Sequence, residues 1–189
     1  MTPAVFLDRD GTLIEEVGHL SAIEQIAVFP WTADALRRLH DAGFKLVIVS
    51  NQAGVARGFF DEAFVELANA TLVGHLTAKG VTIDGVYYCP HHPEGTVERY
   101  RVVCECRKPR PGMIRRAVEE LGLDPSRSFV IGDRWLDVEL AEQAGAQGIL
   151  VRTGHGAVEA ALPAPDRLAS PVIVSTLAEA VDWILGSRD

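Results

Sequence analysis

Three short apolar runs, Val5-Phe6-Leu7, Phe44 to Val49 and Ser128-Phe129-Val130-Ile131, each break off into residues that can do chemistry: Asp8, Ser50 and Gly132-Asp133. A short apolar run bounded by turn formers reads as a strand buried in a parallel sheet. Helical patterns stand between these runs. Thr32 reads as an N-cap, Ala35, Leu36 and Leu39 form one face, and Gly43 is the stop. From Asp61 to Lys79, Phe64, Leu67, Ala68, Leu72 and Leu76 give a second core-facing stripe. Ile83 to Tyr88 predicts a third strand, Gly148 to Val151 and Val172 to Val174 the last two. Helices are predicted from Met113 to Leu121, from Asp133 through Ala144, and from a Thr176/Glu179 capping box to Leu185. Residues 14–30 and 152–170 read as loops, the second with at most a short helix. Alternation of this kind predicts one α/β domain over 1–189 with a mostly parallel, doubly wound sheet. Such sheets bind ligands beyond the carboxyl ends of their strands, where the chemistry-bearing residues lie.

Asp8 and Asp10 stand one residue apart at the first of these ends. On extended backbone, residues i and i+2 face the same side. Two carboxylates aimed at one point repel unless a cation or a proton relieves them. A divalent ion with hard oxygen ligands, Mg²⁺ by preference, is the natural occupant. The competing reading is a strand end followed by an ordinary Asp/Gly turn.

The chain carries 26 acids against 18 bases, a net charge of −8. That balance argues against general binding to nucleic acid or an anionic membrane, which needs a basic surface. No apolar run reaches the length of a membrane span. The amino terminus lacks the basic-then-apolar order of a secretory signal, so a cytoplasmic location is the expectation; a monomer is the expected state, on no sequence signal of its own.

Against this acidic background, Arg107-Lys108-Pro109-Arg110-Pro111 concentrates three bases in four residues. A solvated basic turn is one reading. The two prolines favour another, a cation on stiffened backbone, suited to a phosphate.

All three cysteines, Cys89, Cys104 and Cys106, lie at the two ends of one turn-rich loop, together with His91 and His92. Three thiolates and an imidazole match tetrahedral structural Zn²⁺. The pairing of Cys89-x-His91 with Cys104-x-Cys106 favours His91 over His92 as the fourth ligand. Four protein ligands leave no open position, so this zinc would be structural.

The string Asp8-Arg9-Asp10-Gly11-Thr12, with Ser50, Lys108 and Gly132-Asp133-x-x-x-Asp137, resembles the four motifs of the haloacid dehalogenase-like phosphatases. Within them, FLDRDGTL, SNQAGVARG, CPHHPEG and CECRKPRPG are similar to the heptose 1,7-bisphosphate 7-phosphatases, zinc-loop relatives of the histidinol-phosphate phosphatases. The resemblance covers Phe6 to about Val151 and implies a Rossmann-like core without a cap. It assigns Asp8 as nucleophile, Asp10 as general acid and base, and Ser50 and Lys108 as stabilisers of the phosphoryl group. Mg²⁺ falls to Asp8, Asp10 (through its carbonyl) and Asp133. Asp137 has three readings: it orients Asp133, binds a metal-bound water, or merely suits a helix N-terminus.

By the same resemblance Glu16, Val17, Gly18, His19, Asn51, Gln52, Ala53, Arg107 and Arg134 line the substrate site. Arg107 is expected to recognise the sugar or its second phosphate. Arg134 departs from the Lys of close relatives, keeping charge but not contact geometry. Two alternatives stay open: a phosphatase of histidinol phosphate or another small phosphorylated metabolite, and a non-catalytic zinc-stabilised binding module. The second would leave the Asp, Ser and Lys set without a purpose.

Overall fold

The computed structural model describes residues 1–166, 168 and 171–187. Its six strands are β1 (Ala4–Leu7), β2 (Lys45–Asn51), β3 (Gly85–Cys89), β4 (Phe129–Gly132), β5 (Gln147–Val151) and β6 (Val172–Val174). They form one sheet in the order β3-β2-β1-β4-β5-β6, and every pairing is parallel. β1 is central, with Leu7 opposite Ile48 on one side and Ile131 on the other.

Seven helices lie among the described residues: α1 (Thr32–Asp41), α2 (Ala53–Ala56), α3 (Glu62–Thr77), α4 (Gly112–Leu121), α5 (Trp135–Ala144), α6 (Gly156–Glu159) and α7 (Leu177–Gly186). Period-two alternation divides the strand residues between two cores. Val5, Leu7, Leu46, Ile48, Ile131 and Ile149 pack with Leu36, Leu72 and Val181 of α1, α3 and α7. Ala4, Phe6, Val47, Val49 and Val130 face the other way, onto Ile114, Ala117 and Leu140 of α4 and α5. Both faces are covered, which explains why the strands read as continuous apolar runs. None of the described helices is long and apolar enough to cross a membrane.

Several local expectations are corrected. Thr32 is the first residue of α1, not its cap; its hydroxyl donates to the Leu13 carbonyl at 3.0 Å and pins the loop after β1. Leu67 is 55% exposed, because the face of α3 turned to the sheet is carried by Ala68, Leu72 and Leu76. Asp61 does cap α3, accepting from the Phe64 amide at 2.9 Å. The 152–170 segment holds the short α6; positions 167, 169 and 170 of that expected loop, and 188–189 of the expected domain, lie outside the described residues.

The 89–106 segment is less polar in its packing than its composition suggests. Tyr100 is buried with Val55, Ala56 and Val65, and its hydroxyl donates to Glu62 at 2.6 Å. Tyr88 donates to the same carboxylate at 3.0 Å. The loop therefore docks onto α2 and α3 as well as closing on its own cysteines.

Candidate active site

β1 ends at Leu7, and the chain turns at once. The Arg9 carbonyl accepts from the Leu13 and Ile14 amides at 3.0 and 3.1 Å, curling residues 9–14 into a tight loop. Gly11 sits there at φ 82°, where L side chains are strained. A Cβ at this position would lie 2.2 Å from an Asp133 oxygen, so glycine lets the β1 and β4 ends approach.

This early turn corrects the simple alternation argument. Asp8 and Asp10 line the same cavity, but their carboxylates have different partners. Asp8 accepts from Lys108 Nζ at 2.5 Å, whereas Asp10 accepts from Arg9 and Gln52. The carboxylates that do converge are Asp8, Asp133 and Asp137, whose oxygens lie within 4.8 Å of one another, all buried.

Lys108 is the cation at the centre of this group. Its ammonium also lies 2.7 Å from Asp137 and donates to the Val49 carbonyl at 3.1 Å. Burial works against its charge, but the Asp137 and Asp8 carboxylates outweigh burial and hold it cationic. Asn51 fixes the backbone that carries it: the Lys108 amide donates to Asn51 Oδ1 at 3.0 Å, and Asn51 Nδ2 donates back at 3.3 Å. Asp137 is Lys108's buried partner, a contact outside its three sequence readings. It also accepts from the Arg134 amide at the start of α5. Gly132 makes room for it, since a Cβ there would lie 2.2 Å from the Asp137 carboxyl.

One lysine does not neutralise three buried acids. Burial pushes the Asp8 carboxyl up, against the pull of Lys108, with the other acids adding to the rise. Asp133 is raised to about 7, by burial first and by Asp137 after it, although its carboxylate accepts from the His155 amide at 2.7 Å. A hard divalent cation between Asp8 and Asp133 relieves that crowding, and the all-oxygen donor set suits Mg²⁺.

The cavity in front of these groups measures about 220 Å³. Glu16, Gly18, His19, Asn51, Gln52, Ala53, Arg107 and Arg134 line it. Val17 does not; it is 41% exposed outside the cavity, its neighbours turning inward while it faces solvent. Ser50, the penultimate residue of β2, is 1% exposed and is not among the residues lining the cavity; the Gln52 amide donates to its hydroxyl at 3.2 Å. Arg57 and His155 also line the cavity, unforeseen from the sequence. Burial, and after it the proximity of Arg57 and Arg134, press the Arg107 pKa down. These guanidinium groups gather at one mouth, and none has a carboxylate within salt-bridge reach among the described residues. An anion belongs there.

Behind Arg107 lies the sulfur cluster. Cys89, His91, Cys104 and Cys106 bring their ligand atoms within 4.8 Å of one another. The sulfur–sulfur separations are 3.1, 3.3 and 3.5 Å, and His91 Nδ1 is 3.3 Å from Cys106 Sγ. Zn–S bonds of about 2.3 Å set tetrahedral edges of about 3.8 Å, close to this arrangement. The neighbouring Cys89 thiol draws the Cys106 thiol down to about 5, against burial and with His91 assisting. His92 stands outside the cluster and accepts from the Glu94 amide at 3.1 Å. His91, not His92, completes the set.

Comparison with known proteins agrees with this geometry. The polynucleotide kinase 3 phosphatase family model matches residues 4–135, and the HAD-hydrolase-like model matches 105–180. The D-glycero-beta-D-manno-heptose-1,7-bisphosphate 7-phosphatase of Escherichia coli K12 is 43% identical over 186 residues, 98% of this chain and 89% of its own length. The Haemophilus ducreyi protein of the same name is 39% identical, covering 96% of this chain and 97% of its own. Among solved structures, the D,D-heptose 1,7-bisphosphate phosphatase from B. bronchiseptica, complexed with magnesium and phosphate, superposes with a TM-score of 0.84 at 29% identity. That match covers 98% of this chain and 99% of the other. The chain is a phosphoric monoester hydrolase and belongs to the HAD-like D-glycero-beta-D-manno-heptose-1,7-bisphosphate 7-phosphatase family.

Proposed function

We propose that this enzyme removes the 7-phosphate of D-glycero-D-manno-heptose 1,7-bisphosphate through an aspartyl-phosphate on Asp8. The observation that carries the reading is the pairing of a buried Asp8–Lys108–Asp133 centre with a mouth of three arginines, 57, 107 and 134, that have no carboxylate partner among the described residues. One phosphoryl group meets the nucleophile while a second anion is held at a distance. A bisphosphate satisfies both ends at once.

Mg²⁺ is assigned to the Asp8 and Asp133 carboxylates and the Asp10 carbonyl; when bound it neutralises phosphate charge facing the nucleophile. An Asp8 oxygen bonds to phosphorus as the bond from phosphorus to the sugar oxygen breaks, and Asp10 gives that oxygen its proton. Asp10 then takes a proton from water, whose oxygen attacks phosphorus and releases Asp8 with inorganic phosphate. Lys108 and Ser50 stabilise the equatorial oxygens, the main source of rate in phosphoryl transfer. Glu16, Gly18, His19, Asn51, Gln52 and Ala53 surround the sugar, and Arg107 and Arg134 take the second phosphate. Cys89, His91, Cys104 and Cys106 would hold Zn²⁺ with four protein ligands, so it would serve to hold the loop.

The test is a Mg²⁺-dependent phosphate-release assay over both 1-phosphate anomers of the heptose bisphosphate, fructose 1,6-bisphosphate and histidinol phosphate. The heptose bisphosphate is expected to show the highest kcat/KM; the curated relatives are named for the beta anomer. Asp8→Asn is expected to lose about 10³-fold or more of kcat. Unimpaired hydrolysis by that variant would dispose of the covalent route.

A further inference from the structure

Arg9, between the two motif acids, is a charged side chain with only 2% of its surface exposed. A guanidinium has five N–H donors and cannot be neutralised by losing its proton. A buried one must therefore satisfy its donors. Arg9 does so on three polar side chains: Nε donates to Asp10 Oδ2 at 3.1 Å and Nη2 to Asp10 Oδ1 at 3.1 Å, a two-pronged grip on both carboxylate oxygens. Nη2 also donates to Gln52 Oε1 at 3.0 Å, and Nη1 to Asn69 Oδ1 at 2.9 Å. Asn69 lies on α3, is buried, and does not line the cavity.

We propose that Arg9, seated by Asn69, is the positioning residue that aims Asp10 at the leaving oxygen, so α3 sets the direction of the acid–base group without touching substrate. Three observations converge on this. Asp10 stands on a turn rather than on a strand, so the sheet does not orient its side chain. Its only side-chain donors among the described residues are Arg9 and Gln52, and Gln52 is itself held by Arg9. Fork-to-fork Arg–carboxylate contact fixes the plane of the carboxylate as well as its place. A lysine in the same space offers a point charge that fixes neither. A charge-neutral surface substitute for Arg9 would serve the turn equally well; the cost of burying a guanidinium points to a task at its head group.

The proposal rests on the acid–base role given to Asp10 above, and its test separates the two. A proton on the leaving oxygen matters for a sugar alkoxide and hardly at all for p-nitrophenolate, a good leaving group. Arg9→Lys is expected to lower kcat on the heptose bisphosphate about 30-fold, with KM changed less than about threefold. The first-turnover release of p-nitrophenol from p-nitrophenyl phosphate is expected to fall less than about threefold, followed by slow turnover as the acyl phosphate waits for its water. Asn69→Leu is expected to show the same split at about a third of the size, and Asn69→Asp, which keeps an acceptor for Nη1, to restore it. The Asn69 pair decides the matter by itself if Arg9→Lys does not fold. An equal first-turnover loss on both substrates, a rise in KM alone, or identical Asn69→Leu and Asn69→Asp kinetics would overturn the positioning role. If Asp10→Asn itself shows no dependence on the leaving group, the acid–base assignment fails instead.

Discussion

The two metal-type clusters lie close together yet are assembled in opposite ways. Asp8, Ser50, Lys108 and Asp133 come from four stretches of chain far apart in sequence, and three of them are carried by adjacent parallel strands. The cysteine cluster joins Cys89, the last residue of β3, and His91 just beyond it to Cys104 and Cys106 from a loop docked at one edge through Tyr100. The first site has its shape from the sheet and needs a cation to relieve charge. In the second, the cation proposed for it would fix the shape of the loop. Lys108 couples them, since it follows Cys106 by two residues but ends between Asp8 and Asp137.

That contrast can be broken most sharply at the loop. Replacing Cys104 and Cys106 with serine, or stripping zinc with a strong chelator, is expected to abolish measurable activity and lower Tm by about 10 °C. Phosphate release and calorimetry on the chelated protein, with zinc added back, check both. If the chelated enzyme keeps its Tm, the docking of Tyr100 holds the loop and the contrast is wrong.

At the sheet-built site the corresponding change is milder for the fold. Asp137→Asn is expected to cost about tenfold in kcat by loosening Lys108, with the sheet intact by circular dichroism. Smaller still is the sorting of substrate. Arg107→Ala is expected to lower kcat/KM about 10–100-fold on a bisphosphate, the worth of a charge-assisted contact, and only a few-fold on a monophosphate. Equal losses on both would place Arg107 at the transferred phosphoryl group instead.

The smallest effect concerns pH. Asp133 has its folded-state pKa raised to about 7, above that of an unfolded aspartate. Between roughly pH 4 and 7 the metal-free fold therefore binds more protons than the unfolded chain, and stability falls as pH rises through that window. The Tm of metal-free enzyme is expected to drop modestly from pH 5 to 8, and added Mg²⁺ to reverse the drop. A Mg²⁺-insensitive Tm at pH 8 would count against metal binding at these carboxylates.

What was legible in the sequence follows the same division. Apolar runs such as Phe6-Leu7 and Val130-Ile131 announce strands because both sheet faces are buried, and the residues at their ends inherit the crevice. The cysteines announce their loop by clustering. Arg9 and Asn69 are another matter. An arginine within a turn and an asparagine in a helix read as solvated polar residues, and only the packing of α3 against the β1 turn gives them buried partners. Leu67 fails in the reverse sense, since periodicity gives a stripe and the tertiary fold decides which edge of it is covered.

The central claim is that Asp8 is transiently phosphorylated, and rapid acid quench followed by peptide mass spectrometry tests it most directly. Asp10→Asn enzyme mixed with Mg²⁺ and p-nitrophenyl phosphate is predicted to accumulate one phosphoryl group per chain on the peptide carrying Asp8, absent when Asp8 is asparagine. A quench that finds no phosphopeptide, together with inverted configuration at phosphorus in the wild-type product, would contradict it.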